Sequence, residues 1–286
     1  MAGNKLKILV CVHKKDAFLC NDTYMPIHVG KAVSDLDLGI QGDDTGDNIS
    51  SKNKSYCELT GIYWAWKNLV DTDYIGLCHY RRYFDFQAGR FNIRDYSLVN
   101  SEEFKNINVS ASGVPNILKN YDIILTKPRI YRYNLSHDYR KRHIGDDLRT
   151  LEIVIKELTP DYIPAFNKVM NDNNKLFRYN MFITNKHIFD DYCTWLFSIL
   201  QELEKRIDIS AYDSVQGRIW GYMSERLLNV YVNKNKLRVK YYPIIRVIDN
   251  EKKKNLFRYC WPMLRNSIAF LFEKRNAIED RFNIFK

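Results

Sequence analysis

The chain has 286 residues, 45% hydrophobic and 27% charged, which excludes a disordered polypeptide and allows one large α/β domain or one domain with an appended C-terminal piece. Lys and Arg exceed Asp and Glu by 44 − 34 = 10, so the surface favours anionic partners: nucleic acid, acidic lipid or a phosphorylated substrate. No stretch reaches the ~18–20 apolar residues that span a bilayer, and the short apolar run behind the N-terminal lysines reads as a first strand, not a signal segment.

LKILVCV (6–12) is a continuous β-branched run, the pattern of a strand buried on both faces, and His13-Lys14-Lys15-Asp16 follows at its end. QGDDTGDNISSKNKS (41–55) is a loop by composition. SYCELTGIYWAWKNL then opens on Ser55-x-x-Glu58, a capping-box signature, and Tyr56, Leu59, Tyr63 and Trp66 recur at helical spacing. DYIGLC is the next strand, and it breaks off into His79-Tyr80-Arg81-Arg82.

Residues 87–118 are polar and irregular. YDIILT (121–126) is another buried strand, stopped by Pro128, and 129–145, rich in Arg, Tyr and His, reads as a loop. Asp146 and Asp147 open a helix through Glu157, where acids suit the positive helix end. YNMFIT (179–184) is a strand. From Phe189, the residues Tyr192, Cys193, Leu196, Leu200 and Leu203 mark an amphipathic helix ending in Lys205-Arg206. A helix over roughly 214–230 and a strand-like RVKYYPIIRVI (238–248) follow.

This order argues for a mixed α/β sheet with helices on its faces, and such sheets bind ligands beyond the carboxyl ends of their strands. The basic residues after 6–12 and after DYIGLC therefore fall where a phosphate-bearing ligand would sit. The six cysteines are scattered without zinc spacing and read as reduced, which points to a cytoplasmic protein. No Walker loop, GxGxxG, GxSxG or HExxH string is present.

What remains is a phosphate-binding α/β protein, and nucleotide-sugar transferases are the natural class. Many of these hold a metal with Asp-x-Asp at a strand end. Here Asp71 and Asp73 precede their strand, at its wrong end, and Arg81 and Arg82, with His79, are expected to replace the metal, because a guanidinium binds phosphate bidentately and stays charged. The alternative is a local ion pair with a carboxylate such as Asp85.

The strings GDNISSKNKSYCELTGIYWAWKN (46–68), YIGLCHYRRYF (74–84), YNMFIT (179–184) and GYMSERLLNVY (221–231) together resemble the bacterial capsule- and exopolysaccharide-locus glycosyltransferases long filed as a domain of unknown function. The resemblance runs in order from about residue 5 to 248. It implies a GT-A-like fold and transfer of a hexose, with galactose in pyranose or furanose form the best guess, from a UDP donor to a growing surface-polysaccharide repeat unit. Thr184 is a small departure, where the family's string leads one to expect methionine.

Position by position, the resemblance implies a donor pocket of Val12, His13, Lys14, Asp47, Asn48, Asn53, His79, Arg81, Arg82, Asn180 and Arg226. Glu58 lies in the same region, but the capping box claims it first. Of Trp64 and Trp66, which cannot share a helix face, one belongs to the core and the other borders the sugar. His137, Tyr139 and His143 form an acceptor-binding lid or a merely solvated loop. Glu225 is the first candidate for the catalytic carboxylate, beside His79 and Arg81, with Asp213 and Asp147 in reserve; a surface or salt-bridged role for Glu225 is the alternative.

The reading divides the chain into a domain over 1–248 and a basic amphipathic extension over 249–286, where Leu264, Ile268, Leu271 and Phe272 form an apolar stripe with Trp261 and Phe257 nearby and Lys252-Lys253-Lys254 ahead of it. That extension suits an anionic membrane surface, a helix packed back on the domain, or a homodimer contact. The expected partners are a UDP-sugar and a lipid-linked or oligosaccharide acceptor, with no nucleic acid, at the inner face of the cell membrane. No cofactor is required on this reading, and a divalent cation is left open. The competing reading is a non-catalytic module that binds a nucleotide-sugar or a nucleic acid.

Overall fold

A computed structural model describes residues 5–89, 92–248 and 260–272. The chain opens with β1 (Leu6–Val12), β2 (Tyr24–His28) and β3 (Gln41–Gly42), then α1 (Asn53–Tyr56) and α2 (Leu59–Asn68). β4 (Tyr74–His79), β5 (Arg82–Phe84) and β6 (Tyr96–Val99) follow, then α3 (Ser101–Lys105), α4 (Val114–Ile117), β7 (Ile123–Thr126) and β8 (Arg129–Ile130). The second half holds α5 (Leu135–Arg142), α6 (Gly145–Leu158), α7 (Ile163–Met170), β9 (Lys175–Leu176), β10 (Phe182–Asn185), α8 (Lys186–Arg206), α9 (Ile219–Lys234), β11 (Val239–Tyr242) and β12 (Ile244–Val247). A further helix spans 260–272.

The main sheet runs β11-β7-β10-β4-β1-β2-β3, with β12, β5 and β6 branching from β4, and is mixed: β1 is parallel to β2 and β4, while β10 runs antiparallel to β4 and β7. The continuous apolar runs follow from burial on both faces. Along β1, Leu9 and Cys11 join the core under α2, α8 and α9, while Ile8, Val10 and Val12 join a second core with Tyr83, Phe104 and Val114. β4 and β10 can lie close because Gly76 carries no side chain; a Cβ there would stand 2.9 Å from the Phe182 carbonyl oxygen.

Strand register decides what meets at the carboxyl edge. Val12 lies level with His28, and Cys11 with His79. β10 pairs Phe182 with Leu77, so its entry, Asn180, arrives beside His79.

The segment 129–145 is not a loop. It contains β8 and α5, whose N-cap Asn134 accepts from the His137 amide at 2.8 Å, a local cap that the density of Arg, Tyr and His concealed. The polar stretch 87–118 likewise contains β6, α3 and α4, with a full Asn100–Glu103 capping box opening α3. The expected box at Ser55–Glu58 does not form. Ser55 lies inside α1, Cys57 breaks the helix at φ 54°, and the Glu58 side chain makes no cap.

Candidate active site

Four pieces of chain converge at the carboxyl edge of the sheet: the end of β4 with the turn into β5, the approach to β10, the break between α1 and α2, and α9. Gly221 lets α9 close on that break, since its missing Cβ would lie 3.3 Å from the Cys57 sulfur. One turn further along α9 stand Glu225 and Arg226.

The backbone here is held in unusual conformations. Cys57, Tyr179 and Asn180 have φ of 54°, 72° and 51°. Left-handed backbone costs non-glycine residues of order 1–3 kcal/mol each and persists where the surroundings over-determine it. They do so here. The Tyr179 amide donates to Glu225 Oε1 at 2.7 Å, and the Tyr179 carbonyl accepts from His79 Nε2 at 2.8 Å. The Asn180 amide group donates to Glu58 Oε1 at 2.8 Å. One strained dipeptide thus links both carboxylates and the histidine.

Glu58 and Glu225 each retain some solvent contact, 19% of the side chain for Glu225, yet burial dominates their proton affinity and raises both pKa values above the ordinary 4.5. The opposing pulls are the Asn180 hydrogen bond on Glu58 and the Arg226 charge on Glu225, and the charge of Glu58 adds to the rise at Glu225.

Guanidinium groups surround this pair. Arg226 lies 3.5 Å from Glu225, donates to the Tyr222 carbonyl at 2.9 Å, and covers the Tyr139 ring. Arg178 pairs with the buried Asp95 at 3.2 Å. Arg82 and Arg218 differ from these two. Among the described residues neither has a carboxylate within ion-pair distance. Arg82 lies over the Tyr179 ring at 4.5 Å with its Nε unpartnered, and Arg218 Nε contacts the Cys57 sulfur at 3.2 Å. Both lie within electrostatic reach of Glu58 without pairing with it closely, which leaves their N–H groups the ones here suited to bidentate binding of an anion.

His79 does not add to that positive charge. Burial, reinforced by Arg82, lowers its pKa to about 3, so it is neutral at physiological pH. Its partner is a carbonyl, which can only accept, so Nε2 carries the proton and Nδ1 is left as an acceptor. The expectation of a cationic His79 beside the phosphates is therefore corrected; its observed role is to hold Tyr179.

The other expected residues divide. His13 touches the Tyr80 ring edge at 5.3 Å, with Lys14 5.8 Å above that ring; Val12 is fully buried and offers its carbonyl to Val29. Arg81 is engaged by Asp16 at 2.7 Å, an ion pair of the kind weighed against a phosphate role, with Asp16 in place of Asp85. Asn53 is folded into the helix break, donating to the Cys57 carbonyl and Thr60. Asp47 and Asn48 lie along the far end of α2: Asp47 receives Tyr63 and Asn68, and Asn48 ties its own loop.

On α5, Tyr139 lies fully buried beneath Arg226, and His143, just past the helix end, stacks on Tyr222 at 4.2 Å. His137 instead stacks on Tyr133. Trp64 is core, and Trp66 stacks on Phe197 of α8 and not on the cleft. Asp147 accepts from Tyr212, and Asp213 caps backbone amides of its own loop.

Sequence reading passed over Arg178, Arg218 and the functional placement of Glu58. Arg178 had a legible signal: Arg178-Tyr179-Asn180 repeats, at the entry to a strand, the basic-aromatic string that His79-Tyr80-Arg81-Arg82 forms at an exit. Arg218 had none, because only the packing of α9 against α1 brings it to Glu58.

The model of a family described as "Domain of unknown function (DUF4422)" matches residues 7–236. The chain belongs to that family. Among solved structures, this DUF4422 chain is similar to the apo structure of WbbM, a bifunctional glycosyltransferase, at 35% identity and a TM-score of 0.78. The alignment covers 88% of this chain and 46% of that one, so the DUF4422 chain spans less than half the length of WbbM. No curated protein matches it. The shared architecture is a mixed α/β sheet flanked by helices.

Proposed function

We propose that this chain is a glycosyltransferase that takes a hexose from a UDP-sugar, with galactose the first sugar to test, and passes it to a hydroxyl of a growing surface glycan. The observation that carries this reading is the placing of Arg82 and Arg218, which form no close ion pair among the described residues, with two half-buried carboxylates of raised proton affinity. Similarity to one part of a bifunctional glycosyltransferase supports it.

The chemistry follows from charge. The acceptor oxygen attacks the anomeric carbon, and the bond from that carbon to the β-phosphate oxygen breaks. Its electron pair leaves on UDP, where Arg82 and Arg218 balance the new charge. The acceptor proton goes to a carboxylate, Glu225 first and Glu58 second. A proton affinity above that of an ordinary glutamate suits such a base, since it lies nearer the working pH. Arg226 borders the same carboxylate, supported from beneath by the buried Tyr139, and His143, stacked on Tyr222, would face the acceptor.

The test is incubation with a panel of UDP-sugars and a glycan or lipid-linked acceptor, read by UDP release, with and without EDTA. UDP release that persists in EDTA supports the arginine-based reading; strict dependence on a divalent ion overturns that part. UDP binding without turnover of any donor would favour a non-catalytic nucleotide-sugar module.

A further inference from the structure

The helix over 260–272 leaves a row of large apolar side chains facing outward. An amphipathic helix on a globular domain buries its apolar stripe and shows its polar face to water. Here Trp261, Leu264, Ile268, Leu271 and Phe272, at three- and four-residue spacing, are 54%, 54%, 45%, 67% and 60% exposed. The other side, less exposed, faces the domain: Asn266 donates to the Ile130 carbonyl at 3.1 Å, and Met263 lines a cavity of about 760 Å³. Five large apolar side chains thus form a continuous outward ridge, about 20 Å long at 1.5 Å per residue.

The surroundings are basic. Arg265 is exposed on the same face as the ridge. Lys127, Lys168, Lys175 and Lys236 line the cavity that Met263 borders, together with Asp95, and among the described residues none of these lysines has a carboxylate within ion-pair distance. In sequence, Lys252, Lys253, Lys254 and Arg258 precede the helix and Lys274 and Arg275 follow it; these six lie outside the described residues. Two copies of such a face would bring like charges together, whereas an anionic lipid surface neutralises them as the ridge enters its acyl boundary.

We infer that the 260–272 helix is a membrane-docking element that lays the ridge of Leu264, Ile268 and Leu271 into an anionic lipid surface, with the neighbouring lysines against its headgroups. This goes beyond glycosyl transfer and does not depend on it.

The experiment is co-sedimentation of the full chain with vesicles of phosphatidylcholine alone or with one third phosphatidylglycerol, at low and high salt. The wild type is expected to sediment with the anionic vesicles, less at high salt, and poorly with the neutral ones. Leu264→Glu with Leu271→Glu should weaken partitioning by roughly a hundredfold, the scale of two leucines kept out of the acyl region. UDP affinity and Tm should stay at wild-type values, since those side chains face solvent. Absence of wild-type binding to anionic vesicles overturns the inference whatever the variants do. So does a wild-type dimer that the double variant converts to a monomer without change in vesicle binding, which would make the ridge a self-interface. Loss of UDP turnover with vesicle binding intact would instead count against the proposed function alone.

Discussion

The two edges of the central sheet carry similar residues and treat them in opposite ways. At the amino edge of β1, β4 and β7, charges cancel. Lys5 meets Asp71 through its side chain and Asp73 through its amide; Lys186 pairs with Asp190, and Arg238 forms a fork on Asp122. At the carboxyl edge, Arg82 and Arg218 have no carboxylate within ion-pair distance among the described residues, Glu58 and Glu225 are half-buried with raised proton affinity, and two consecutive residues sit in left-handed backbone. Folding alone would favour the first arrangement everywhere. On the proposed function, the cost concentrated at one edge is what a bound donor would offset.

That contrast can be broken in graded steps. The largest effect is expected for Glu225→Gln, which keeps the shape and removes the base: kcat for UDP-sugar turnover should fall by about 10²–10⁴-fold, with donor affinity little changed. An equal loss in Glu58→Gln and none in Glu225→Gln would transfer the role to Glu58. The pH dependence has a definite sign. A base acts deprotonated, so turnover should rise with pH through a value above the ordinary 4.5 of glutamate, a limb missing from the inactive variant's residual rate. Stability should run the other way. The folded state binds these protons more tightly than the unfolded one, so the carboxyls favour folding most below the ordinary value. That contribution is lost as pH rises through the raised one, and Glu→Gln flattens the slope in thermal melts.

Next in size is the cation pair. Arg82→Ala and Arg218→Ala should each weaken UDP binding by about 1.5–3 kcal/mol in calorimetry, the value of a hydrogen bond to a charged group. If UDP binds both variants as it does the wild type, the phosphates lie elsewhere. Gly76→Ala, midway between the edges, should lower stability by about 1–3 kcal/mol because β4 and β10 must part, and should show as a fall in Tm. The smallest effect belongs to the amino edge. Asp71→Asn removes a largely exposed partner of Lys5, and should change stability by about 0–1 kcal/mol and turnover not at all. A large loss of activity there would erase the distinction between the edges.

Much of the fold lay open in the residues. Hydrophobic period fixed β1, β4, β7, α6 and α8 within a few residues, because burial on two faces or on one stripe writes itself into the order of side chains. What stayed hidden was local. Asn134 and Asn100 cap helices inside segments whose polarity reads as loop. Ser55-x-x-Glu58 has the spelling of a capping box, but a left-handed Cys57 between them ends one helix and frees Glu58 for the cleft.

The candidate site divides along the same line. From the sequence alone came the basic string at the end of β4 and the wrong-ended Asp71 and Asp73, since each depends only on where a strand stops; the candidacy of Glu225 and Asn180 came with the resemblance of GYMSERLLNVY and YNMFIT. Tertiary structure alone decided that Arg81 is neutralised by Asp16 while Arg82 is not, that His79 is neutral, and that Arg218 and Glu58, 160 residues apart in the chain, share one cleft. The physical reason is that charge state and pairing are properties of an environment. Register and packing assemble that environment from distant segments, and no local pattern encodes it.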